Sequence, residues 1–210
     1  MSEESYHPEE ERLRRFATLR KDAHAECDRE TAERIATNPT LTEDEVYIGA
    51  FREMIEPQVR DAIFMFHRKG YATESSGFGG DGTIQQIDGY YAIDAETQKK
   101  IEALGAHVLR GKEAGSPGQS EHHTYILFTA PNPDCKEMKE TWDAIASVLP
   151  DLGHRAPPPV SGGSEDFRKQ FAPSRTDVER VALERALSFN KFRPDIEVAM
   201  RKRIAELSQD

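Results

Sequence analysis

The chain has 210 residues, of which 37% are hydrophobic and 31% charged, with a formal net charge of −10 at pH 7. That length holds one domain with appendages or two small ones, and the polar composition implies a modest core with long exposed helices or linkers. The acidity argues against a general nucleic-acid or anionic-membrane binder.

The first 45 residues carry 13 acids and 7 bases, residues 46–155 carry 16 and 11, and residues 156–210 carry 9 and 10, so the acidity sits in the first three-quarters of the chain; residues 1–41 read as a charged N-terminal helical arm. Residues 8–36 read as a charged helix. Pro8 suits a first turn, and Glu9, Glu10 and Glu11 suit the positive end of the helix dipole. Leu13, Phe16, Leu19, Ala23 and Cys27 recur at steps of three and four. A stripe that narrow covers a groove or a partner helix and is no core by itself.

A central domain is predicted over residues 42–153. Thr42 and Glu45 form a capping box that opens a helix, continued by Val46, Tyr47, Ala50, Phe51, Met54 and Ile55. Pro57 interrupts it as a kink or restart, and Val59, Ala62, Ile63 and Phe66 extend the pattern to Gly70. Residues 71–78 and 83–93 read as strands joined by Gly79-Gly80-Asp81-Gly82. In the second strand Ile87, Gly89, Tyr91 and Ile93 share one face, and Gln86, Asp88 and Tyr90 the other. Asp94 caps a helix to Leu104, 106–110 is a short strand, and 111–121 is a flexible connection. His122–Ala130 is the fourth strand. A helix starting near Asn132-Pro133-Asp134 carries Cys135, Met138, Trp142, Ile145 and Leu149 on its apolar face.

The fold class is therefore α+β: a two-layer sandwich of a four-stranded, mostly antiparallel sheet in the order α-β-β-α-β-β-α, with additional N- and C-terminal helices. Residues 154–173 are rich in Pro, Gly and Ser and read as a linker. Residues 174–210 form a C-terminal helical pair, opened by Ser174 with Asp177 and by Pro194.

The stretch ESSGFGGDGTIQQIDGYY raises the question of a site. In this topology the third strand runs in the direction of the second, and the glycine-rich tip lies at the same end of the sheet as the start of the last central helix. A glycine-rich tip beside a helix N-terminus is one way to bind a negative group, but Asp81 and Asp134 oppose an anion there, and a cation or a hydroxyl-rich ligand suits them better. The candidate ligand-binding residues are Glu74, Ser75, Ser76, Gly79, Gly80, Asp81 and Asp88. Glu74 and Asp88 face each other across the hairpin, and paired carboxylates bind cations or share a proton. The plainer reading is a tight turn with solvated polar edges, for which glycines and acids are ordinary.

His122 and His123 are adjacent in a strand, point to opposite faces, and so do not chelate one metal together. They fall at the end of the sheet away from the tip, so a nucleophile–base pair of His123 with Ser75 or Ser76 needs another strand arrangement or a second subunit. His67 and His107 read as surface or boundary residues. Tyr71, Tyr90, Tyr91 and Tyr125 are half-buried tyrosines or the lining of a pocket on the sheet. No metal site and no cofactor motif is legible.

Cys27 and Cys135 are read as reduced thiols, the N-terminus has no apolar run of secretory type, and no segment reaches the ~20 apolar residues of a membrane span. The expectation is a soluble cytoplasmic protein with no membrane contact. The leading functional reading is a non-catalytic ligand-binding or protein-interaction module, with a protein partner or self-association through the helical arms. The alternatives are a small hydrolase or transferase on the polar face of the 71–93 hairpin, and an acidic regulatory partner of a basic protein.

Overall fold

The computed structural model describes residues 8–111, 123–156, 174–189, 192 and 194–209. Most of the predicted 111–121 connection, His122, and the linker beyond Ala156 lie outside the described residues. The described elements are α1 (Pro8–Thr37), α2 (Glu43–Ile48), a 3-10 turn (Arg52–Met54), α3 (Pro57–Arg68), β1 (Ala72–Gly79), β2 (Ile84–Tyr90), α4 (Ala95–Ala103), β3 (His107–Arg110), β4 (His123–Thr129), α5 (Cys135–Val148), α6 (Arg175–Phe189) and α7 (Pro194–Leu207). The fold is α+β, with one four-stranded sheet in the order β1-β2-β4-β3.

Every neighbouring pair in the sheet is antiparallel. β3 does run in the direction of β2, but β4 lies between them, so no parallel ladder forms. The sheet's inner face presents Phe78, Ile87, Ile126 and Phe128, with Val108 against them, to the helices above. Val59, Ile63 and Phe66 of α3, Ile101 of α4, and Met138, Trp142 and Ile145 of α5 complete this cluster. The spacing of those residues at three and four positions is what lets each helix turn one stripe to the sheet.

The sequence predicts one helix over 42–70 interrupted at Pro57, and the structure divides it earlier. The Thr42/Glu45 capping box is present, but Gly49 takes the left-handed conformation (φ 72°) and stops α2 after six residues. A 3-10 turn follows, and Pro57 is the first residue of α3. Glu45 explains the early break. It is 2% exposed. Its carboxylate accepts from Thr42 N at 2.6 Å and from Arg52 N at 2.8 Å, and pairs with Arg34 of α1 at 3.4 Å. One acid thus satisfies backbone donors on both sides of the turn, and a continuous helix would deny it the Arg52 N–H.

Both helical arms pack onto the rest of the chain. The first half of α1 places Phe16 and Ala23, with Leu19 beside them, on the sheet–helix core. Its last turns place Ile35 in a second cluster with Leu41, Phe51, Val178, Leu183, Ile196 and Met200. The narrow stripes of α1, α6 and α7 are therefore covered within one chain. Between the two clusters α1 makes polar contacts: Glu30 with Arg60 at 2.9 Å and His24 with Glu56 at 2.7 Å. At the other end of the molecule Lys69 donates to the carbonyls of Ala146, Ser147 and Leu149, closing the C-terminus of α5.

His67 is a correction to the boundary assignment. It is 3% exposed, and its Nε2 lies 2.9 Å from the Thr73 hydroxyl. Burial lowers its pKa from 6.5 to about 4. Between those values the unfolded chain takes up a proton that the folded protein refuses, so stability falls as pH drops through this window, by about 1.4 kcal/mol per pH unit. Urea titrations of the wild type at pH 7 and pH 5 should show this loss, and His67→Gln should flatten it, leaving the carboxylate-driven loss at lower pH. Leu183 is fully buried in the second cluster. Leu183→Ala should destabilise the whole protein by about 2–5 kcal/mol in one cooperative transition, and an unchanged midpoint would mean that α6 is not part of the core.

Candidate functional site

The first hairpin carries Ser75, Asp88 and Tyr90 on the sheet face opposite the helices. Its register shifts between Thr73, which pairs with Gly89, and Ser75, which pairs with Asp88, so Glu74 is an extra residue in a β-bulge. Gly89 makes this closeness feasible. A Cβ there would collide with the Ala72 carbonyl oxygen and the Thr73 Cα. The bulge turns Glu74 and Ser75 toward Asp88, whose carboxylate accepts from Ser75 N at 3.0 Å and from Ser75 Oγ at 3.2 Å.

Strand order supplies the partner that sequence reasoning set apart. β4 pairs with β2, His123 opposite Tyr90 and Tyr125 opposite Asp88. His123 and Tyr125 are two residues apart and point to the same face as Asp88 and Tyr90. His123 Nε2 lies 3.4 Å from Glu74 Oε2 and 3.8 Å from Asp88 Oδ1. The Tyr90 and Tyr125 rings stand edge-on to the imidazole, with centroids 5.0 and 4.8 Å away. The result is a cluster of two carboxylates, one imidazole, one serine and two tyrosines. Its legible signal is the alternation in HTY over 123–125; what the sequence does not supply is the neighbour of β4.

The electrostatics follow from burial. Asp88 is 6% exposed. Removal from water raises its pKa, an effect opposed by His123 and by the two hydrogen bonds from Ser75. His123 is 1% exposed, and its second ring nitrogen, Nδ1, is buried without a hydrogen-bond partner. Both carboxylates lie on the Nε2 side of the ring, and Nδ1 is on the other edge. Ser75 is not the imidazole's partner, because its hydroxyl donates to Asp88. Ser76, the next residue, pairs with Ile87 and faces the other way.

The hairpin tip lies at the opposite end of the sheet. It does neighbour the approach to α5, since Ala130 N donates to Thr83 O at 2.8 Å. The helix packed on it, however, is α1. Arg20 donates to Gly80 O at 3.1 Å, and Arg12 donates to Ala130 O at 3.2 Å. Asp81 is taken up by the turn: its Oδ1 accepts from Thr83 N at 3.0 Å and from the Thr83 hydroxyl at 2.6 Å, which lowers its pKa. A shallow groove of about 530 Å³ along Ala17, Arg20, Lys21, His24, Ala25 and Asp28 borders it. Of the seven candidate residues, the structure brings Glu74, Ser75 and Asp88 together with His123. It leaves Gly79, Gly80 and Asp81 at the tip and turns Ser76 away.

Other reactive groups are quiet. Cys27 and Cys135 are free thiols, pushed by burial up to about 12 and about 11, so neither is a ready thiolate. Among the described residues, no group of three or more His, Cys, Asp or Glu side chains is disposed to hold a metal ion. None of the helices among the described residues is long and apolar enough to cross a membrane. No protein-family model matches the chain, and neither a curated protein nor a solved structure shows significant similarity to it.

Gly80 separates the tip from the acid–histidine cluster. Its φ is 54°, and the space where a Cβ would sit is open apart from Ile84 Cδ1 at 3.8 Å. Gly80→Val should therefore cost about 1–2 kcal/mol of backbone strain while leaving the His123 imidazole resonances in place. A disturbed His123 spectrum would show the two ends of the hairpin to be coupled.

Proposed function

We propose that the protein is a non-catalytic ligand-binding module whose site is the sheet-face cluster Glu74, Ser75, Asp88 and His123. The observation that carries this reading is the buried imidazole held between two carboxylates and two tyrosine rings. Burying Asp88 and His123 is costly. A folded core has no need of them, whereas a site that must recognise a polar ligand does. The hydrolase alternative has less support, because Ser75 gives its proton to a carboxylate and not to the imidazole that would have to activate it. Self-association through the arms loses its main motive, since their apolar stripes are buried within one chain.

A thermal-shift screen with amines, amino acids, sugars, nucleotides and divalent metal salts tests the proposal. At least one class should raise the wild-type melting temperature, and both Asp88→Asn and His123→Gln should remove most of that rise. A rise that survives both substitutions would move the site elsewhere. Release of nitrophenol from p-nitrophenyl esters that disappears with Ser75→Ala would replace the binding reading with the hydrolase.

A further inference from the structure

We infer that residues 73–77 of β1 are a strap across the sheet-face cluster, released when His67 takes up a proton; as a control on ligand binding this rests on the site proposed above. Three observations carry it. First, β1 is an edge strand, and Thr73, Glu74, Ser75, Ser76 and Gly77 bring no apolar side chain to the core. The anchors stand on either side: Tyr71 is 1% exposed, in ring contact with Phe66 and Tyr91, and Phe78 is 8% exposed. Second, the bulge between Thr73 and Ser75 interrupts the pairing with β2, and an irregular ladder facing solvent is where local opening costs least. Third, the strap is fastened by titratable side chains. Thr73 N donates to His67 Nε2 at 3.3 Å and Ser75 N to Asp88 Oδ1 at 3.0 Å; just beyond the strap, Phe78 N donates to Glu56 Oε2 at 3.0 Å.

His67 is the fastening that fails in weak acid. The Thr73 N–H points at Nε2, so that nitrogen carries a lone pair and the ring is neutral while the strap is closed. A proton on Nε2 sets N–H against N–H and places a charge on a side chain only 3% exposed. Lifting Thr73 opens that nitrogen to water. The charged side chains of the surrounding elements are engaged elsewhere: Asp44 of α2 with Arg68 of α3 and with Arg155, Lys69 with the α5 carbonyls, and Glu74 beside His123. Asp151 and His154, in the segment whose Ala156 N donates to His67 O, are exposed. Burial therefore dominates and holds the imidazole at about 4, against the ordinary 6.5. Each pH unit between those values favours the released form by about tenfold. Asp88 acts in the opposite sense: burial raises its pKa while the strap is closed, so its own proton uptake favours closure. Release thus begins below pH 6.5 on His67 and is checked as Asp88 titrates. It withdraws both Ser75 donors from Asp88 and carries Glu74 away from His123, so acid dismantles the site.

Amide hydrogen exchange on the full chain, without ligand, is the test. Between pH 7 and pH 5 the protection factors of Thr73 N–H and Ser75 N–H should fall by up to about 20-fold, the factor for a pKa of about 4 when closed and 6.5 when released. Exchange at these two amides should be insensitive to low urea, the mark of local opening, while Ile126 N–H in the central strand should exchange only through urea-sensitive unfolding. His67→Gln, whose amide oxygen still accepts from Thr73 N and takes up no proton, should remove the pH response of Thr73 and Ser75. Protection unchanged between the two pH values, or Thr73 and Ser75 exchange that tracks Ile126 through the urea series, would overturn the strap, and neither comparison needs a variant. A local pH response that persists in His67→Gln would overturn His67 as the trigger. Binding is read separately: a strap that releases in a chain stabilised by no compound of the thermal-shift screen keeps the release and removes the site.

Discussion

Strand β4 is hydrogen-bonded along both edges, to β2 on one side and to β3 on the other, and this placement governs both faces of the sheet. On the inner face it sets Ile126 beside Ile87 and Phe128 beneath Trp142, whose ring lies 5.0 Å away. On the outer face it sets His123 and Tyr125 beside Asp88 and Tyr90. Since side chains alternate with a period of two, a slip of one residue would exchange the two sets, driving histidine into the core and isoleucine out of it. The Thr124 hydroxyl, which donates to the Tyr91 carbonyl at 2.5 Å, helps hold the register at the end nearest His123.

A second layer of organisation is polar. Glu56 is one of its centres: its carboxylate meets His24 of α1 and Gln58 of α3 at 2.7 Å each, and accepts from Phe78 N of β1 at 3.0 Å. Gln58 passes the contact to Gln85 of β2 at 3.2 Å. Gly77 has no side chain at the spot where the Glu56 carboxylate sits. Such a chain of directional contacts fixes how α1, α3 and the hairpin sit relative to one another, which hydrophobic contact alone leaves loose. It also gives Glu45 and Glu56 parallel roles, each a carboxylate at a chain turn that ties α1 to the following segment.

The order of elements was legible because periodicity carries it: the stripes of α3 and α5, the alternation around Ile87, and the caps Thr42 and Asp94 all point to the elements observed. Sequence did not show where α2 stops, because Phe51 and Met54 continue the helical spacing across Gly49 while a buried Glu45 reorganises the chain. The site was half legible. Glu74, Ser75 and Asp88 follow from hairpin pairing, a local property. His123 depends on which strand β4 chooses as a neighbour, a non-local choice that no spacing encodes. The tip glycines drew attention by composition, and their setting shows a turn held by Asp81 and braced by Arg20.

The reach of α1 bears on how the chain acquires its structure. The helix precedes the sheet in the chain, yet Ile35 at its far end is walled in by Leu183, Ile196 and Met200, which a ribosome delivers long after the sheet. Contacts across such a sequence separation form late. During synthesis the central sheet and its helices are complete while Ile35, Leu41 and Phe51 still lack their cover, so the nascent protein carries an oily patch until residues 174–207 emerge. A stop codon shortly before residue 174 would make that transient exposure permanent, and the truncated product would be a natural client for chaperones and proteases.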